Sequence, residues 1–286
     1  GPRMQIVIIG MGALGTEIAQ AAAMSGDPVL LHDTDEPALR RALAHISRRL
    51  DRGVQRGTLD AARARRARRS FTISTDPGRC AGADLAIEAI ADRFPLKRSL
   101  LQALDDILRP DTILATSTNV LSITALAAAT RYPQRVIGLH FFRPAHLMGA
   151  VEVVRGPATR PDAVDRAVEL LRRMEKTPLA IDDAPGQVVN RVALAYFGEA
   201  LYLLDDGLDE PTVDRLMEAA GFPLGPFRLM DTLGVDKVLE LSQSVYEATF
   251  QTARYRPHPR QRRLVEAGRL GAHSVRGGFY PKESDA

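Results

Sequence analysis

Residues 4–15 read MQIVIIGMGALG. The unbroken apolar, β-branched run over residues 4–10 is the pattern of a strand buried on both faces. It ends in Gly10-Met11-Gly12-Ala13-Leu14-Gly15, a G-x-G-x-x-G, and the Ala-rich residues 16–25 predict a helix. Strand, glycines and helix in that order make a phosphate cradle. The first glycine permits the tight turn, and the second lets backbone reach a pyrophosphate. The third lets the helix lie on the strand, and the helix N-terminus favours negative charge. Asp33 closes a second predicted strand, residues 28–32, near the spacing at which a carboxylate takes a ribose 2′-hydroxyl and repels a 2′-phosphate. The expectation is a dinucleotide site for NAD rather than NADP, weighed against a turn whose glycines are structural.

Working outward, further strands are predicted at residues 84–89, 112–116, 136–139, 151–154 and 177–181. Helices are predicted at 37–50, 59–69, 96–108, 123–129 and 163–174. Alternation of this kind implies a mostly parallel sheet covered by helices. After Pro185-Gly186 the strand signal disappears. Residues 188–204, 210–220, 235–249 and 260–267 read as helices, separated by turn signals such as Gly221-Phe222-Pro223. The expected fold class is α/β: a Rossmann-like dinucleotide domain over residues 4–184, then an all-helical domain over 185–286. No internal repeat is visible at solenoid periods.

Composition narrows the class. The chain has 286 residues, 45% hydrophobic and 26% charged, as in a globular protein with real cores. No apolar run is long enough to span a bilayer and no N-terminal signal pattern is present, so no membrane partner is expected. Gly1-Pro2 ahead of Arg3-Met4 reads as the remnant of a cleaved tag. The single cysteine, Cys80, allows no internal disulfide, which suits a cytoplasmic enzyme. His32, His45, His146 and His258 have no carboxylate or cysteine at ligand spacing, so no metal is expected. The net charge of +3 and pI near 9.2 favour acidic ligands only weakly.

A second stretch, residues 138–154, reads GLHFFRPAHLMGAVEVV. His140 ends one predicted strand and Glu152 lies within the next, where the pattern calls for core. The intervening chain is long enough for a strand, a bend at Pro144 and a returning strand to bring the two together. On the residues alone, a buried ion pair and a working acid–base pair stand level.

GADLAIEAIAD, TILATSTNVLSIT, RVIGLHFFRPAHLMGAVEVVRG, KTPLAIDDAPGQVVNR, GFPLGPFRLMDTLGVD and YRPHP resemble, in order and at matching spacing, segments of the L-3-hydroxyacyl-CoA dehydrogenases. The short forms such as 3-hydroxybutyryl-CoA dehydrogenase are the nearest type, and the resemblance covers nearly the whole chain. It implies NAD as cofactor, a homodimer formed through the helical domain, and His140 with Glu152 as the catalytic pair. It also implies that Asn190 contacts the substrate oxygen, and that Asp92 and Lys97 contact the nicotinamide side of the cofactor. For Asn190 the plainer reading is a helix-start residue making local bonds, and for Lys97 a solvated helix residue.

The chain departs from that pattern at several positions. The family's NTSS loop reads Ser117-Thr118-Asn119-Val120, which puts Asn119 at the catalytic and cofactor-side serine position. The asparagine of HFFNP becomes Arg143, Gly149 stands where many members carry lysine, and Gln187 and His273 replace an aromatic and a lysine. Arg143 is expected as a fixed cation near the substrate, suited to a short or polar acyl group. The expected reaction is oxidation of a 3-hydroxyacyl thioester on CoA. A glyceryl- or seryl-type group on an acyl carrier protein is the alternative, and an NAD-binding protein without catalysis the second. Arg63, Arg65, Arg66, Arg68 and Arg69 read either as a solvated helix face or as a dock for CoA phosphates or an acidic carrier protein; nucleic acid is not expected.

Overall fold

The computed structural model describes residues 3–282, so the Gly1-Pro2 pair lies outside the described residues. The chain divides into two compact units, Gly1–Ala184 and Pro185–Ala286. The first is built on β1 (Ile6–Ile9), α1 (Ala13–Ala23), β2 (Val29–His32), α2 (Glu36–Gln55), α3 (Ala61–Arg69), β3 (Phe71–Ser74), β4 (Leu85–Glu88), α4 (Phe94–Ile107), β5 (Ile113–Thr116), α5 (Ile123–Ala127), β6 (Val136–Phe141), β7 (Ala150–Arg155), α6 (Pro161–Arg173) and β8 (Thr177–Asp182). The second holds α7 (Val189–Asp205), α8 (Glu210–Ala219), α9 (Pro226–Leu233), α10 (Val235–Ala248) and α11 (Pro259–Glu266).

One eight-stranded sheet runs in the order β3-β2-β1-β4-β5-β6-β7-β8. All neighbours are parallel except β6 and β7. The central strands are buried along their whole length, and their side chains alternate between two cores. Ile6 and Ile8 join α1, α2 and α6 on one face; Val7 and Ile9 join α4 and α5 on the other. Each fully buried Ile or Leu in these layers contributes about 1.5–3 kcal/mol. The helical unit has its own core around Phe197, Phe227, Met230 and Val238.

Strand order reverses between β1 and β4. The connections leaving β1 and β4 therefore part at the C-terminal edge of the sheet and open a crevice there. Gly10 turns out of β1 with φ +93°, a conformation few side chains accept. A Cβ on Gly15 would sit 1.8 Å from the Gly10 carbonyl oxygen, so the third glycine lets α1 seat against β1.

Two elements were not apparent in the sequence. β3 is only half-buried and follows directly on the arginine-rich α3, so it carries no core alternation. α9 is eight residues long and opens on a proline. α2 also runs past the predicted end at residue 50 and through Gly53, carried by Leu39, Ala42, Ile46 and Leu50 on its buried face.

Gly15→Ala should force α1 off β1. The expected loss is about 1–3 kcal/mol of stability, read as a lower urea midpoint; an unchanged midpoint would show that the helix has room to shift.

Candidate active site

The C-terminal edge of the sheet gathers the sequence-identified groups of the first unit. The register of β6 and β7 sets His140 directly opposite Glu152. His140 Nδ1 lies 2.7 Å from Glu152 Oε2, and the residues are 8% and 1% exposed. The carboxylate oxygen accepts, so Nδ1–H donates. In the neutral ring that leaves Nε2 as the basic nitrogen. The Phe142 ring packs against the imidazole, centroids 4.3 Å apart.

The glycine loop after β1 is latched to the end of β2. The Met11 N–H donates to Asp33 Oδ2 at 2.7 Å and the Asp35 N–H to Oδ1 at 3.0 Å. Each carboxylate oxygen has two lone pairs, so both keep acceptor capacity beyond these bonds. A Cβ built on Gly12 meets nothing within 4 Å. The space over the loop is open, which fits a pyrophosphate approaching the backbone.

Lys97 corrects one expectation, because it is not a solvated helix residue. It is fully buried in the first turn of α4. Its ammonium donates to Glu88 Oε1 and Oε2 at 2.7 and 2.9 Å, to the Ser117 carbonyl at 3.1 Å and to the Ile90 carbonyl at 3.3 Å. Glu88 also accepts from the Ile90 N–H and the Thr116 hydroxyl, both at 2.7 Å. The pair knits the ends of β4 and β5 together. Asp92 stands beside it, accepting from the Thr118 hydroxyl at 2.9 Å and lying 3.8 Å from Lys97 Nζ. Asn119 follows in the same loop, half-buried. Asn190 lies in the first turn of α7, in the second unit.

Arg143, expected as a fixed cation near the substrate, is ion-paired with Glu17. Nη2 donates to Glu17 Oε1 at 3.1 Å and Nε to Oε2 at 3.4 Å, and the Ala145 N–H donates to Oε2 at 2.9 Å. Burial opposes the charge on Glu17, but Arg143, the Ala145 N–H and Arg49 outweigh it and hold the carboxyl below its ordinary value. The sequence reading passed over Glu17, although an acid within an Ala-rich, otherwise buried helix was the signal. Glu88, a charge within the apolar run of β4, was missed in the same way.

The loop from His140 to Glu152 also borders a cavity of about 470 Å³, lined by Arg49, Arg52, Arg56, Arg63, His146 and Lys176 together with Gly149 and Glu175. Burial and then Arg49 depress the His146 pKa, and burial depresses that of Lys176. Within the arginine-rich α3, Arg63 pairs with Glu175 at 2.7 Å and Arg68 with Asp51, while Arg65, Arg66 and Arg69 are exposed. Among the described residues no group of three or more His, Cys, Asp or Glu is placed to hold a metal ion, and no helix is long and apolar enough to cross a membrane.

Residues 5–184 match the family profile described as "3-hydroxyacyl-CoA dehydrogenase, NAD binding domain", and residues 186–281 match "3-hydroxyacyl-CoA dehydrogenase, C-terminal domain". The chain is 41% identical over 274 residues to the 3-hydroxyadipyl-CoA dehydrogenase of Escherichia coli K12, covering 95% of this chain and 58% of that protein. It is 37% identical over 281 residues to a probable 3-hydroxybutyryl-CoA dehydrogenase of Bacillus subtilis 168, covering 98% and 97%. The crystal structure of 3-hydroxybutyryl-CoA dehydrogenase from Escherichia coli K12 superposes with a TM-score of 0.95 at 39% identity, over 100% of this chain and 61% of that one.

Lys97→Met should leave Glu88 charged and unpaired in the interior. A cost of about 3–5 kcal/mol is expected, measured by chemical denaturation, with much of it recovered when Glu88→Gln is added; a loss below 1 kcal/mol would mean water replaces the ammonium.

Proposed function

The chain belongs to the 3-hydroxyacyl-CoA dehydrogenase family, and from that premise we propose that it oxidises a 3-hydroxyacyl-CoA to the 3-oxoacyl-CoA, reversibly, with NAD. The observation that carries the reading is the buried His140–Glu152 pair at the sheet edge where the glycine loop opens. NAD, when bound, supplies the acceptor for the hydride leaving the carbinol carbon. His140 Nε2 takes the hydroxyl proton, and Glu152 holds the ring in that tautomer and stabilises the imidazolium that forms. Asn190 and Asn119 are assigned to the substrate oxygen by their match to the family's positions. Gly10 to Gly15 receive the pyrophosphate. Asp33 receives the ribose diol, and Asp92 with Lys97 shapes the nicotinamide side.

The cationic cavity supports a thioester whose carrier arm bears phosphates, since its wall shares the loop that joins His140 to Glu152. The exposed Arg65, Arg66 and Arg69 on α3 support a second reading, in which the same hydroxyacyl group arrives on an acidic carrier protein. Comparing kcat/KM for one hydroxyacyl group on CoA and on carrier protein separates the two. Arg143, held by Glu17, contributes to the acyl pocket through the loop it anchors. In the second unit α7 exposes Val192, Tyr202 and Leu203, which supports pairing of two copies there and is tested by sedimentation.

His140→Ala is expected to lower kcat by about a hundredfold or more, with the Kd for NAD nearly unchanged, and Glu152→Gln to lose less. NADH formation from 3-hydroxybutyryl-CoA provides the assay, and turnover within a few-fold of wild type for His140→Ala would reject the base. The family's cofactor should be strongly preferred over NADP, and Asp33→Ala should narrow that preference. Equal kcat/KM for NAD and NADP in the wild type would remove Asp33 from its role.

A further inference from the structure

Glu17 presents a carboxylate from a helix whose neighbouring residues, Ile18, Ala19, Ala21 and Ala22, are core. The residue is 4% exposed, and an acid in such a place is tolerated only with partners. Those partners come from outside the helix. Arg143 and the Ala145 N–H approach across a separation of well over a hundred residues, and Arg49 of α2 stands 3.9 Å away. Arg143 and Ala145 lie in the first half of the connection that leaves His140 and returns to Glu152. Leu147 and Met148 of that connection are exposed, whereas Ala145 is buried in the core beside α1. Phe142, whose ring packs on the imidazole, immediately precedes Arg143.

We infer that Glu17 is a positioning residue: its carboxylate ties the loop between His140 and Glu152 to the helix that opens the dinucleotide cradle, and so sets where the base stands relative to the cofactor. The inference rests on the dehydrogenase reading. The path is short, from α1 through Glu17 to Arg143, Phe142 and the imidazole. A displacement of the order of an ångström at the base is enough to matter for a reaction that needs hydroxyl proton and carbinol hydrogen aimed at two different acceptors.

Glu17→Gln keeps an oxygen for the Ala145 N–H and removes the charge that holds Arg143. It is expected to lower kcat about tenfold while KM for NAD moves less than about twofold. Arg143→Asn should give a similar loss, and the double variant no further loss, because both changes break one contact. Glu17→Asp, which restores the charge one methylene short, should recover part of the rate. A tie that served stability alone would lower the melting temperature of Glu17→Gln and leave turnover per folded site unchanged. That result, or losses that add in the double variant, would overturn the inference. The His140 ring signals in the NMR spectrum of substrate-free protein should move in Glu17→Gln, and unmoved signals overturn the tie even if turnover falls. If the wild type forms no NADH from any hydroxyacyl thioester, the dehydrogenase reading fails, while shifted His140 signals still uphold the tie itself.

Discussion

Antiparallel pairing forces residues opposite one another to share a face, and the β6–β7 register applies that constraint at His140 and Glu152. β6 runs parallel to β5, so the end that carries His140 is also the end at which the glycine loop leaves β1. β7 then runs back beside it and delivers Glu152 to the buried side of the ring. Had β7 been parallel, a crossover connection would have been needed, and the loop that borders the cavity and meets Glu17 would not exist. The position of the pair, the loop and the cavity wall all follow from one reversal of strand direction.

Two buried carboxylates support that edge in different ways. Glu88 is enclosed, and its ammonium partner and hydrogen-bond donors come from the strands and helix of its own neighbourhood. Glu17 is buried too, but Arg143 facing it is 56% exposed as a side chain. The Arg143 end of that pair is more open to solvent screening. The Glu88–Lys97 pair therefore acts as a fixed floor. The Glu17–Arg143 pair is a tie that solvent reaches from one side.

Most of the fold was legible because its strands are buried on both faces and its helices on one. Residues 4–25 established a strand, a cradle and a helix, and β4, β5 and β6 read as plainly. β3 and α9 were not legible, since a half-buried edge strand and an eight-residue helix carry too few core positions to show a period. At the site, His140 and Glu152 stood out as titratable groups in apolar runs, with a connection of the right length between them. Arg143 and Glu17 were each visible as a charge, but their pairing was not. Glu17 lies on the first helix, and nothing local in the sequence marks the pair. The solvated reading of Lys97 failed for a related reason, because only the fold shows that a lysine near a helix start points inward to a glutamate of the preceding strand.

Arg49, Arg52, Arg56, Arg63 and Lys176 share one cavity with the single acid Glu175. Like charges held together by a folded backbone repel one another, so this cluster works against the compact state. If the proposed phosphate-bearing arm enters there, it would reverse that sign and by linkage stabilise the protein. Dissolved salt would screen both effects, and so act in opposite directions on the free protein and on such a complex.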